Sequence, residues 1–311
     1  MALLPKPELA QWLGQQLAAP GPLELAAIAR VGGGSIHRAW RLQLGDGRRF
    51  FLKSNDPTAL PLLEAEAAGL QALARWAQPP IRVPQPLAMG VADLGAAGDR
   101  ALLLLPWLDL QSARPGENSL GWRAFGAALA ELHLASSAAQ ERFGWPSANF
   151  IGAAPQSNEW RSDWGVFFSE CRLAPQLDWA ARQGHRPRGS EQLLEQLPLR
   201  LQHAVLPALV HGDLWSGNGA LLQNGEAALF DPAVYWGDRE VDLAMAKLFG
   251  GFSPAFFSGY GEVWPLEAGA GARIELYNLY HLLNHANLFG GGYWGQAQAS
   301  IDTLLESWGF A

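Results

Sequence analysis

A few polar residues in this 311-residue chain have types and spacings suited to one chemistry. His211, Asp213 and Asn218 follow the order His-x-Asp-x-x-x-x-Asn, and Asp231 stands thirteen residues after Asn218. Moving a phosphoryl group onto a hydroxyl needs a carboxylate that orients the hydroxyl and takes its proton. It also needs hard oxygen donors that hold Mg²⁺ on nucleotide phosphates. Asp213 suits the first task, and Asn218 with Asp231 the second. Any one of them alone reads more simply as the cap of a turn. The ordered set, with Leu229-Phe230 predicting a short buried strand that ends in Asp231, points to a kinase-type catalytic loop. His211 reads as a brace for that loop and not as a base.

Upstream residues complete the set. Lys53 ends the predicted strand Arg49–Lys53, where it can neutralise phosphates if a carboxylate holds it. Glu66, on a predicted helix over 62–77, falls in the apolar stripe of Leu62, Leu63, Leu70 and Leu73, where an unpaired carboxylate is costly. Glu64 shares its face with Gln71 and Arg75 and reads as a solvated acid. Glu66 is therefore the expected partner of Lys53. Gly32-Gly33-Gly34-Ser35 precedes a strand and lacks the Walker and Rossmann contexts, so it suits a turn that closes over phosphates. Trp215 offers an indole face for a sugar or an alkyl chain, with core packing as the equal alternative. His281 and His285 share a helix face, but Leu282 stands where a zinc protease has Glu. Polar helix contacts or cleft lining are the expectation for both. Asp238, Arg239 and Glu240 fit either substrate contact or an ion-pair network.

These groups need elements to position them. Periodicity predicts a short helix over 8–18, strands over 40–44, 49–53, 87–91 and 101–108, and the helix over 62–77. Helices are expected over 122–136, 160–182, 190–205 with Ser190 as N-cap, from 241 onward, 274–288 and 296–308. Residues 209–231 interrupt them with short apolar segments. The pattern is a small α/β lobe, a hinge near 106–109 and a larger helical lobe, with a ligand cleft between them.

Composition narrows the classes. Hydrophobic residues make up 49% and charged residues 16%, enough for a large core. The net charge of −7, with no basic stripe, speaks against nucleic-acid binding. The single cysteine, Cys171, excludes an intramolecular disulfide and four-cysteine zinc modules, and reads as a buried filler. The apolar run 101–108 is far too short to span a bilayer, and the N-terminus shows no signal-peptide core. A cytoplasmic protein without membrane association is expected.

The segments HGDLWSGN (211–218), DPAVYWGDREVDLAM (231–245), QSNEWRSDWGVFFSECRL (156–173) and LYNLYHLLNHANLFGGGY (276–293) resemble the fructosamine kinase (ketosamine-3-kinase) family. That family lies within the wider aminoglycoside-phosphotransferase and protein-kinase-like fold. The likeness runs from about Val31 to beyond Tyr293. It implies an α+β, bilobal protein-kinase-like fold. A small N-terminal antiparallel-sheet lobe with one key helix (1–106) would bind nucleotide, and a larger, mainly helical lobe (107–311) would carry catalysis and substrate binding. The implied activity is ATP- and Mg²⁺-dependent phosphorylation of O3 of a ketosamine, free or on a protein. The unstable 3-phosphate then eliminates and frees the amine, a deglycation. Asp213 would be catalytic, Asn218 and Asp231 would hold metal, and Gly32–Ser35, Lys53 and Glu66 would serve the nucleotide. Trp215 would meet substrate, and Asp242 resembles the helix aspartate that tethers the catalytic loop. GGGSI lacks the cysteine that several members carry there, so no redox switch is expected. Pro106 stands where an acidic residue is common in the hinge. An aminoglycoside or choline kinase is the nearest rival, which Trp215 and the 231–245 block disfavour. A pseudokinase would be expected to lack Lys53, Asp213, Asn218 or Asp231, and all are present.

Overall fold

The continuous apolar run near Leu102 forms an inner strand of a sheet covered on both faces. A computed structural model describes residues 4–18, 23–32, 36–111 and 118–310. Helix α1 (Lys6–Gln16) precedes the meander β1 (Leu25–Val31), β2 (Arg38–Leu44) and β3 (Arg49–Asn55). Helix α2 (Leu60–Trp76), the two-residue β4 (Ile81–Arg82), β5 (Ala88–Asp93) and β6 (Asp99–Pro106) follow. The sheet order is β1-β2-β3-β6-β5, antiparallel throughout. Leu102 and Leu104 pack with Leu9 and Leu13 of α1, while Ala101, Leu103 and Leu105 pack with Leu63, Ala67 and Leu70 of α2. A strand buried on both faces needs no polar alternation, which explains the run.

The remainder is mostly helical: α3 (Ser119–Ser137), the hairpin β7 (Asn149–Ile151) and β8 (Ala154–Gln156), α4 (Trp164–Phe168), α5 (Ala174–Arg182) and α6 (Ser190–Arg200). Four short strands come next, β9 (Ala208–Val210), β10 (Gly219–Leu221), β11 (Ala227–Leu229) and β12 (Tyr235–Gly237). Helices α7 (Glu240–Leu248), α8 (Pro254–Val263), α9 (Ala270–Phe289) and α10 (Tyr293–Ser307) complete it. Strand β9 pairs with β12, and β10 with β11, so residues 211–218 and 230–234 lie in turns between buried strands. β4 adds to β11 in parallel register, Ile81 opposite Ala227, so the segment after α2 is stitched to the helical layer well before the hinge. Helices α3 and α8 approach at glycines: a Cβ on Gly126 would lie 1.9 Å from the Phe256 carbonyl oxygen.

Several expectations are corrected. Lys53 does not end its strand; β3 runs on to Asn55. Ser190 is not an N-cap. Gly189, with φ of +75°, precedes the helix, and the Ser190 hydroxyl donates to the Pro187 carbonyl at 2.6 Å. The helix expected from residue 160 starts at Trp164, where Asp163 accepts from the Val166 N–H, and it passes through a π-helical turn over 169–173. Strand β1 was not expected, because LAAIARV is too Ala-rich to alternate visibly, and the helical stretch expected from 241 onward is two helices, α7 and α8. No helix among the described residues is long and apolar enough to cross a membrane.

Candidate active site

The segment 211–218 follows β9 and is held from behind. Asp242, fully buried on α7, accepts from the backbone N–H of His211 and of Gly212. It also contacts His133 Nε2 at 3.2 Å, and His133 Nδ1 meets the Tyr260 hydroxyl at 2.9 Å. Gly212 is required here: its φ is +79°, and a Cβ would sit 2.2 Å from the Ala233 carbonyl oxygen. His211 Nδ1 accepts from the Asp213 N–H at 3.3 Å, which leaves Nε2–H to donate to the Phe230 carbonyl at 3.0 Å. Burial pushes the ring below its ordinary pKa, so it is a neutral brace between the loop and the strand end.

Asp213 and Asn218 are bonded to each other. The Asn218 amide donates to Asp213 Oδ2 at 3.0 Å and to the Asp213 carbonyl at 2.9 Å, with a longer bond to the Asp231 carbonyl. These bonds commit Nδ2 and leave Asn218 Oδ1 as the oxygen without a donor among the described residues. Burial, reinforced by the nearby Asp231 charge, pushes the Asp213 carboxyl up to about 7. A base poised near neutrality suits proton acceptance. Asp231 has the left-handed φ of +55°, unusual for a residue other than glycine and typical of a strained functional turn. Its carboxylate is 45% exposed.

The sheet delivers the cation. Lys53 Nζ lies 2.8 Å from Glu66 Oε2 and 2.5 Å from Asp231 Oδ1. Burial alone would lower its pKa; Asp231 and Glu66 outweigh burial and hold it well above the ordinary lysine value. Glu66 is itself pushed up to about 7 by burial against the pull of Lys53, and its Oε1 is buried without a partner. Glu64 is exposed. One buried lysine therefore links the sheet, α2 and the Asp231 turn.

Of the glycine-rich turn, Gly32 is described and has open space where a side chain would stand. Gly33, Gly34 and Ser35 lie outside the described residues. His37, just beyond them, was not singled out from the sequence. Its ring contacts Asn55, and burial with the nearby Lys53 charge pushes it down to about 4. Its place three residues after the last of those glycines was the available signal. Trp215 is half-buried, lies over Gly217 and meets Phe249 edge-on at 6.2 Å. The ring of Phe249 in turn packs on His285 at 4.9 Å. Asp238 bonds to His203 and Tyr277, Glu240 to Arg273, and Arg239 to backbone carbonyls at 264–265. None of these bonds reaches Asp213, Asn218 or Asp231; Glu240 is in an ion pair with Arg273, whereas Arg239 is held by carbonyls. Cys171 is buried and free. In the hinge, Trp107 lies 6.3 Å from Phe51 and donates to Asp109, which also pairs with Arg49. A cavity of about 450 Å³ beside the hinge is lined by residues of 82–85, 106–109 and 222–226, apart from the catalytic cluster.

A sheet lobe offering a Lys–Glu pair to an Asp–Asn–Asp turn in a helical lobe defines the bilobal protein-kinase-like fold, and the protein is a phosphotransferase acting on a hydroxyl group. The chain belongs to the fructosamine kinase family, whose model matches residues 6–307. It is 43% identical, over 92% of both chains, to a Synechocystis sp. protein provisionally named ketoamine kinase. It is 36% identical to a chloroplastic protein-ribulosamine 3-kinase of Arabidopsis thaliana, over 98% of this chain and 90% of that one. A solved Haemophilus somnus structure, provisionally named fructosamine-3-kinase, superposes with a TM-score of 0.84 at 26% identity, covering 96% of this chain and 97% of that one.

Proposed function

We propose that the protein is an ATP- and Mg²⁺-dependent ketosamine kinase that phosphorylates O3 of a fructosamine, ribulosamine or erythrulosamine adduct. Elimination of the 3-phosphate then releases the amine, a deglycation of small amines or proteins in the cytoplasm. Besides family membership, the supporting observation is the contiguous hydrogen-bonded cluster of Lys53, Glu66, Asp231, Asn218 and Asp213. In this reading residues 1–106 hold the nucleotide and 107–311 the acceptor. Lys53, fixed by Glu66, binds nucleotide phosphates, and Gly32–Ser35 cover them. The Asn218 Oδ1 and the half-exposed Asp231 carboxylate are hard oxygen donors that fit Mg²⁺, which when bound neutralises phosphate charge. Asp213 orients the acceptor hydroxyl and accepts its proton, with positioning the larger effect. Trp215 and Phe249 form an aromatic wall beside it for the sugar or the amine-bearing chain.

The test is ADP release from Mg-ATP with ribulosamine- and fructosamine-lysine, and with choline and an aminoglycoside as controls. Turnover confined to the ketosamines is expected. Turnover of a control alone would discard the substrate and keep the catalytic roles. Nucleotide-dependent thermal stabilisation with no ADP from any acceptor would make the protein a binding scaffold.

A further inference from the structure

Helix α9 carries two histidines one turn apart, and their surroundings differ. His285 Nδ1 bonds to the His281 carbonyl at 2.8 Å, and its ring packs among Phe249, Phe289 and Tyr293. His281 is 3% exposed, and its Nδ1 is buried with no hydrogen-bond partner among the described residues. An orphaned polar atom in a buried site costs stability unless something else completes it.

The atom that faces it is Asp213 Oδ1, 4.0 Å away. Asp213 Oδ2 is occupied by Asn218, whereas Oδ1 accepts no hydrogen bond among the described residues. The gap is too long for a direct bond; one oxygen bonded to both atoms at about 2.8 Å would span it. Burial, with His285 and Arg172 adding to it, pushes His281 down to about 3. The ring is therefore neutral at physiological pH and is not a counter-ion for Asp213.

We propose that His281 is an acceptor-positioning residue: its Nδ1–H donates to the hydroxyl oxygen whose own proton points to Asp213 Oδ1. Together the two side chains fix one acceptor oxygen for attack on the γ-phosphate. This rests on the kinase reading above. In the transfer the acceptor oxygen bonds to the γ-phosphorus and the bridging P–O bond breaks, its electrons leaving on ADP. The hydroxyl proton goes to Asp213, and His281 keeps its own. The buried Nδ1 is thereby satisfied when acceptor is present.

The experiment compares wild type with His281→Leu, His281→Asn and His281→Gln, on whichever acceptor of the panel wild type phosphorylates. Values of kcat and KM for acceptor and ATP are measured beside Tm. Loss of one directional hydrogen bond should lower kcat/KM for the acceptor about 10- to 100-fold in the Leu variant, with KM for ATP unchanged. Asn places an amide nitrogen near the Nδ1 position and should restore most of the activity; Gln reaches toward Nε2 and should not. Should the Leu variant fail to fold, the Asn–Gln contrast decides. Wild-type acceptor kinetics in the Leu variant, or equal loss in Asn and Gln, would overturn the assignment while the kinase reading stands. Failure of wild type on every acceptor would overturn both.

Discussion

The carboxylate of Asp242 accepts the backbone N–H of His211 at 2.7 Å through Oδ2, and the next N–H, that of Gly212, at 2.9 Å through Oδ1. One side chain on α7 thus fixes the two residues before Asp213. Burial alone would raise its pKa; hydrogen bonding and charge from His133, with the bonds at His211, outweigh this and hold it below the ordinary 3.8. Its stabilisation is therefore complete above pH 3.8 and is lost as pH falls through the lower folded value.

Asp242→Asn should consequently unfold more easily at pH 7, by about 2–4 kcal/mol, because an amide N–H would face backbone N–H groups in a buried site. The difference from wild type should shrink as pH falls below 3.8. Urea denaturation at the two pH values checks both; a pH-independent difference would place the effect elsewhere.

Asp213 has the opposite sign. Its carboxyl is raised to about 7 from 3.8, so its ionisation weakens the folded state progressively between those values. Asp213→Asn should abolish turnover and retain ATP binding. Relative to wild type it should gain more stability at pH 8 than at pH 5, in buffer with a chelator. Turnover like wild type would remove Asp213 from the chemistry. An equal Tm shift at both pH values would show that the carboxyl does not titrate as stated.

Lys53→Ala should weaken nucleotide positioning, and Glu66→Ala should follow it. Removing Glu66 leaves a buried ammonium held by the half-exposed Asp231 alone. A rise in KM for ATP of about tenfold is expected for Glu66→Ala, the equivalent of one lost charge-assisted hydrogen bond. Glu64→Ala, an exposed change one face away, should leave KM for ATP within about twofold of wild type.

The choice of Glu66 over Glu64 was legible because a carboxylate in an apolar stripe demands a cation, and Lys53 was the cation in the right place. The joining of Asp213 to Asn218 in the loop at 211–218 was legible because the expected chemistry sets residue types at fixed spacing. His281 was not. Histidines spaced one turn apart on a helix give no sign of which atom each faces, and only the packing of α9 against the Asp213 turn supplies that. The hinge network of Arg49, Trp107 and Asp109 was equally hidden, because Arg49 and Asp109 are 60 residues apart in sequence. The stitch of β4 to β11 went unseen for another reason: two-residue strands carry no period to read.

Gly126 offers a test in which propensity and packing have opposite signs. In a free helix Gly→Ala stabilises by about 1 kcal/mol. Here the new methyl would lie 1.9 Å from the Phe256 carbonyl oxygen, so α3 and α8 would have to separate. Backbone cannot rotate away as a flexible side chain would, and the overpacking should cost about 1–3 kcal/mol or more net of propensity. Because α3 carries His133 and α8 carries Tyr260, the same separation would loosen the contacts behind Asp242. Gly126→Ala should therefore lower Tm and kcat together with little change in KM for ATP. A variant with raised Tm and unaltered kcat would mean that the helix pair is looser than this contact requires.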